Sequence, residues 1–183
     1  MQSNRLSQLV KLLDGLSEWT GRVISWLTLL MVVVTFIIVV MRYAFDMGNI
    51  ALQESVIYMH SFVFLLGAAY TLKHDGHVRV DIFYRPASER TKAVINIIGT
   101  LFLLFPVSIF IGYISWEYVS TSWALKEGSQ EAGGIPYRYL LKTTLIVMPA
   151  LIVLQGIAEL GRSALVLRGE SHLIEENVTE HPL

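Results

Sequence analysis

The chain has 183 residues, 54% of them hydrophobic and only 16% charged, with a net charge of −1 and no cysteine. Soluble domains carry about a quarter charged residues; with a mean hydropathy of +0.54, this composition is that of a membrane protein. The lack of cysteine excludes disulfides, thiolate catalysis, cysteine-ligated zinc and iron–sulfur clusters, and a near-neutral chain presents no basic field to nucleic acid.

In the first segment Leu6, Leu9, Val10, Leu13, Leu16 and Trp19 recur at helical spacing, with Gln8, Lys11, Asp14 and Glu18 on the other side. This pattern predicts an amphipathic helix over 5–20 lying in the membrane interface. The alternative is a plain extension of the first span. Residues 23–41 (VISWLTLLMVVVTFIIVVM) run for 19 residues without a charge, bracketed by Arg22 and Arg42. A helix of that length covers about 28 Å, close to the hydrocarbon thickness of a bilayer. The run is too long for a signal-peptide core and no small-residue cleavage site follows, so it reads as a retained span.

Further spans are expected at about 55–72, 93–116 and 139–160, the last extended past its uncharged core if Lys142 snorkels to the surface. Pro106 and Pro149 fall inside the third and fourth, where such residues mark kinks. The expected fold is an all-α integral membrane protein. It has four transmembrane helices, preceded by the amphipathic interfacial helix, in a single membrane domain over 1–183. The polar, acidic tail 170–183 reads as disordered. Ten Lys and Arg lie on the side of the termini and the 73–92 loop, and four on the other. By the positive-inside bias both termini are cytoplasmic.

The segment 73–85 (KHDGHVRVDIFYR) is the most chemically dense in the chain. His74 and His77 are three residues apart, with Asp75 and Asp81 close by, so a two-histidine-plus-carboxylate metal site is conceivable. Asp75-Gly76 is turn chemistry, however, and 77–82 alternates polar and apolar as an extended strip does. The better reading is a connector between spans 2 and 3, with no metal. His60 is the histidine inside a span. A bis-histidine haem needs a facing histidine on another span, which the sequence lacks, so His60 reads as packed or hydrogen-bonded and no cofactor is expected in this chain.

Glu54, Tyr58 and Ser61 share one helical face at the start of span 2. Two readings stand: a carboxylate pairing at the interface with a neighbouring helix or subunit, or the coupling group of a small self-sufficient proton-coupled transporter acting as a homodimer. Glu54, Glu117 and Glu159 all sit at span ends, which leaves no carboxylate, Lys or Arg at mid-span, and an autonomous ion-coupled carrier needs polar groups or broken helices near the midplane. In the third loop Gly133-Gly134 frees the backbone and Pro136 fixes the turn into span 4, with Glu127 and Glu131 on its flanks. Ser108 and Gly112, like Gly67 and Thr71, are spaced to let helices approach closely. No phosphate loop, nucleophile triad or acid–base carboxylate pair occurs, and no enzymatic activity is expected.

Leu52-Gln53-Glu54, the string GAAYTLKHDGHVRVDIFY at 67–84 and the EAGGIP turn at 131–136 together resemble the small membrane subunit (DctQ-like) of tripartite ATP-independent periplasmic (TRAP) transporters. The resemblance covers roughly residues 20–165, and GHVRVD at 76–81 is its most specific element. In that family a periplasmic binding protein captures an organic anion, and a large membrane subunit carries it with sodium across by an elevator motion. The small subunit packs against the large one and anchors its static scaffold. The resemblance therefore implies a non-catalytic scaffold subunit of a sodium-coupled carboxylate transporter in the bacterial inner membrane, surrounded by membrane lipids. Its partners would be the large TRAP membrane subunit, which binds the sodium, and transiently the periplasmic binding protein. Glu54, Tyr58, Arg79, Asp81, Gly133, Gly134 and Pro136 would be subunit-contact or orienting residues. The pattern EAGGIPYRYLLK followed by Leu154-Gln155-Gly156 is similar to members concerned with keto acids or related carboxylates.

Overall fold

The computed structural model describes residues 2–78 and 84–170, and the regular structure among them is entirely helical. Helix α1 runs over Gln2–Ala44 as 43 continuous residues, about 64 Å at 1.5 Å per residue. Residues 5–20 are thus the first half of the helix that continues into the first span, not a separate element. No proline interrupts this stretch, and its glycines are accommodated within the helix. At Gly21 a Cβ would overlap the Tyr70 ring, so the glycine permits a close approach of the chain's second crossing.

Helix α2 (Ile50–Leu66) starts at Asn49, whose Oδ1 accepts the Leu52 N–H at 3.0 Å, the usual way an Asn satisfies an orphan donor at a helix start. A break at Gly67 leads into α3 (Ala68–Lys73), and the two make one crossing over Ile50–Lys73. That crossing ends in the turn expected from Asp75-Gly76. Asp75 adopts φ +54°, and the Gly76 N–H returns to the Thr71 carbonyl at 2.8 Å.

The third crossing is composite. Helix α4 (Glu89–Gly99) is capped by Ser88, whose Oγ accepts the Thr91 N–H at 3.3 Å. It passes through a π-turn at Thr100–Leu104 into α5 (Phe105–Ala124). The π-turn lies directly before Pro106, which has no N–H to give and whose ring crowds the carbonyl one turn back. An extra residue in that turn relieves the crowding. Helix α6 (Arg138–Arg168) carries Pro149 in its interior and ends at Gly169, which takes φ +74° as a left-handed cap.

Four helical stretches, Arg5–Ala44, Ile50–Lys73, Glu89–Ala124 and Arg138–Arg168, are long and apolar enough to cross a membrane. α6 is the centre of the bundle: α1, α2, α3, α4 and α5 all pack on it, whereas α5 has little neighbour besides α6 and the π-turn. Small residues permit this. A Cβ at Gly156 would sit 2.7 Å from Phe105 and 2.9 Å from Leu104 at the π-turn, and one at Gly161 would sit 2.7 Å from Val10. In the most apolar window of each crossing only 6% to 22% of residues are buried within the chain. The rest of that surface therefore faces lipid or another protein.

Candidate functional site

The polar side chains gather into two clusters, one at each end of the bundle. At the end formed by the first and third loops, Glu54 lies one turn into α2. Its Oε1 accepts a hydrogen bond from Ser129 Oγ, and its Oε2 accepts the backbone N–H of Ile135 at 2.6 Å. The loop is folded over this carboxylate. Ser129 N–H donates to the Ile135 carbonyl at 3.0 Å, Gly134 N–H to the Glu131 carbonyl at 3.0 Å, and Glu131 N–H to Ser129 Oγ at 3.1 Å. Gly133 takes φ +81°, a conformation that disfavours a side chain. A Cβ on Gly134 would fall onto Ser129 and Glu54 Oε2. The two glycines are needed for different reasons: one supplies a backbone angle, the other supplies room. Pro136 adjoins them, with its Cα 3.3 Å from where a Cβ on Gly128 would lie.

Glu127 holds the loop from the opposite side. Its Oε2 accepts Ser122 Oγ at 2.7 Å and also Lys142 Nζ, and Arg138 Nε stands 4.0 Å from its Oε1. The ammonium of Lys142 also sits 3.8 Å from the centroid of the Tyr118 ring. The hydrogen bond from Lys142, then that from Ser122, holds the Glu127 carboxyl below its ordinary 4.5. Sequence reasoning placed Glu127 only on the flank of the turn; it is the acceptor that ties the loop to α5 and α6. Tyr58, one turn beyond Glu54, has its hydroxyl enclosed without a hydrogen-bond partner among the described residues.

The end that carries the chain termini is held by a longer polar chain. Ser17 Oγ donates to Gln155 Oε1 at 2.6 Å, and Gln155 Nε2 donates to Asp14 Oδ1 at 2.9 Å. Arg162 binds Asp14 and Glu159, and Asn96 Nδ2 donates to Glu159 Oε1 at 2.8 Å. Tyr84 closes the series on Asn96 Oδ1 at 3.1 Å. Beside it Glu18 accepts Lys73 Nζ at 2.6 Å and faces His74 Nε2 at 3.0 Å. Sequence reasoning missed this network. Its one local signal was Asp14 and Ser17 sharing a helix with a strong apolar stripe.

The network also divides that stripe differently from the sequence pattern. Val10 is buried on α6, whereas Leu9, Leu16 and Trp19 face outward. His74 is directed to Glu18 and stacks on the Tyr70 ring at 4.4 Å rather than pairing with His77, which is exposed. Arg79 and Asp81 lie outside the described residues, as does the tail after residue 170. The expected hydrogen bond of His60 is not supplied by any described residue of this chain. His60 is exposed on α2, its ring stacking only on Phe64 with centroids 6.0 Å apart, because the face of α2 that it shares is turned away from α1 and α6.

Chemically, both clusters are clasps. Each carboxylate in them is matched by donors or cations, and such an arrangement fixes helix ends and loops. Of the residues singled out from the sequence, the structure brings together Glu54 and Gly134, with Gly133 and Pro136 in the same turn.

The family model for the DctQ component of tripartite ATP-independent periplasmic transporters matches residues 31–165. The chain is also similar to the C4-dicarboxylate TRAP transporter small permease protein DctQ of Vibrio cholerae serotype O1 (strain ATCC 39315 / El Tor Inaba N16961). The two are 26% identical over 119 residues, 64% of this chain and 49% of the relative. The chain therefore spans about half the length of that relative. No solved structure matches it. The family match runs from within α1 to within α6, reaches into all four crossings and includes both Glu54 and the loop it clasps. The chain belongs to the DctQ family, the small permease components of TRAP transporters.

Proposed function

We propose that this chain is the non-catalytic scaffold of a carboxylate importer in a bacterial inner membrane. It packs against and anchors a large transport subunit, which couples uptake to sodium and receives its substrate from a periplasmic binding protein. The observation that carries this reading is the placement of charge. Among the described residues every ion pair lies at one end of the bundle or the other, from Asp14–Arg162 and Glu18–Lys73 to Glu127–Lys142. A carrier that works alone concentrates polar groups or broken helices near the midplane. Glu54, which a self-sufficient homodimeric transporter would need as its coupling carboxylate, is engaged by Ser129 and Ile135, which favours a positioning role.

The ten-to-four excess of Lys and Arg supports placing the termini in the cytoplasm. The Glu54 clasp is then periplasmic, where the folded 127–137 loop can meet the binding protein. Sodium is assigned to the large subunit, and this chain needs no cofactor. The name of the Vibrio relative makes C4-dicarboxylates the first substrates to try. Co-purification tests the reading. This chain, tagged and extracted in mild detergent, is expected to bring down a larger membrane protein at a fixed ratio. Recovery of this chain alone would overturn it.

A further inference from the structure

Gln53, Ile57, His60 and Phe64 follow each other along α2 at steps of four, three and four residues, so they share a face, and all four are exposed. α2 packs on α1 and α6, and this is the face it leaves free. His60 sits ten residues from Ile50 and thirteen from Lys73, the ends of its crossing. Glu54, whose clasp lies outside the apolar run, is six residues away, so His60 sits about 9 Å inside the run from that end and about 20 Å from the other, within the membrane core. Neither ring nitrogen is hydrogen-bonded by any described residue, and its ring neighbour is Phe64.

The outward faces of α1 and α5 differ: the exposed hydroxyl of Thr35 on α1, for example, donates to the Met31 carbonyl of its own helix at 2.7 Å. α1 shows Val33 and Phe36, and α5 shows Val107 and Phe110, all exposed and apolar. Acyl chains suit those faces and cannot hydrogen-bond an imidazole, so a lipid-facing histidine at this depth is unfavourable. An imidazole within the membrane core that no group of its own chain satisfies marks where protein replaces lipid.

We propose that the Gln53–Ile57–His60–Phe64 stripe is the docking face for a transmembrane helix of the large subunit. That helix presents a hydroxyl, amide or free backbone carbonyl to His60 within the membrane core. The inference rests on the scaffold reading above and adds which span makes the contact. Ile57 and Phe64 lie one turn to either side of His60 and seal its hydrogen bond from lipid. The outward faces of α1 and α5 are left to the bilayer. A second copy of this chain in the same place would set like stripes and two imidazoles against each other.

Photocrosslinking in the assembled transporter separates these cases. Benzoylphenylalanine is placed at Ile57 or Phe64 on α2, and at Phe36 or Phe110 as controls, in the chain co-expressed with its large subunit. Crosslinks from the α2 positions to the large subunit, at least tenfold above the controls, are expected. In parallel, His60→Leu is expected to reduce recovery of the large subunit severalfold while His60→Gln largely restores it, with this chain equally abundant in the membrane in each case. Crosslinks to a second copy, or from the α1 or α5 positions instead, would overturn the inference and leave the scaffold reading standing. Failure of the unsubstituted chain to recover any large subunit would overturn both.

Discussion

Arg162 on α6 places Nη2 3.0 Å from each carboxylate oxygen of Asp14 on α1, across 148 residues of sequence. The two side chains are 25% and 22% exposed, so either charge left alone would be poorly solvated. Asp14→Asn is expected to lower stability in nanodiscs by about 1–3 kcal/mol. Arg162→Gln should lower it further, because Asp14 and Glu159 would then share a site without their cation. The double variant should fall short of the sum of the singles by roughly 0.5–3 kcal/mol, as contacting residues do. Denaturant or thermal unfolding of the four proteins checks this; strict additivity would show that the pair does not act as one clasp.

Glu54 is the link between α2 and the third loop. Without it, Ser129 and the Ile135 N–H lose their acceptor and the loop loses its hold on α2. Glu54→Ala is expected to speed hydrogen exchange at Ile135 on the order of ten- to a hundredfold, the range for losing a hydrogen bond to a charged acceptor. Exchange in the α1–α6 contact at the other end should be unchanged. Mass-spectrometric exchange over 127–137 reads the first, and over 10–20 and 155–165 the second.

The loop glycines make a paired test. Gly133→Ala puts a side chain at φ +81° and should destabilise by about 1–2 kcal/mol, with Gly133→Asn milder because Asn visits that region. Gly134→Ala acts instead by pushing Ser129 off Glu54, so its exchange pattern should copy that of Glu54→Ala. Equal behaviour of Gly133→Ala and Gly134→Ala at Ile135 would contradict the distinction.

Acid should release the loop from the Glu127 side. The Glu127 carboxyl is held below its ordinary 4.5, chiefly by the Lys142 hydrogen bond. A depressed carboxyl contributes stability that is fully present above its unfolded value and is lost as pH falls through the folded one. The stability difference between the native chain and Glu127→Gln should thus be constant from neutral pH down to about 4.5 and shrink below it. Melting curves at stepped pH measure this; a difference that vanishes near neutrality would contradict the assignment.

How much of this was legible in the sequence depends on range. The spans were, since each is a long apolar run between charges, and so was the Asp75-Gly76 turn, which rests on two adjacent residues. The loop glycines were legible as a turn, but Ser129 as the partner of Glu54, 75 residues away, was not. Pairing of charges between helices leaves no local pattern, so Asp14–Arg162 and Glu18–Lys73 were invisible. The apolar stripe of residues 6–19 showed a helix but not its partners, for the same reason: Asp14 and Ser17 turn toward α6 to meet Arg162 and Gln155, which leaves Leu9 and Trp19 outside. His60 showed its residue type but not its direction, and direction is what gives it meaning.

The central claim is that this chain supports transport without performing it. Sodium-driven carboxylate uptake into proteoliposomes tests it most directly, comparing this chain alone, the large subunit alone and the two together, each with the binding protein supplied. Uptake is expected only when both membrane chains are present, with none from this chain alone and with Glu54→Gln still supporting it. Uptake by this chain alone, abolished by Glu54→Gln, would contradict the account.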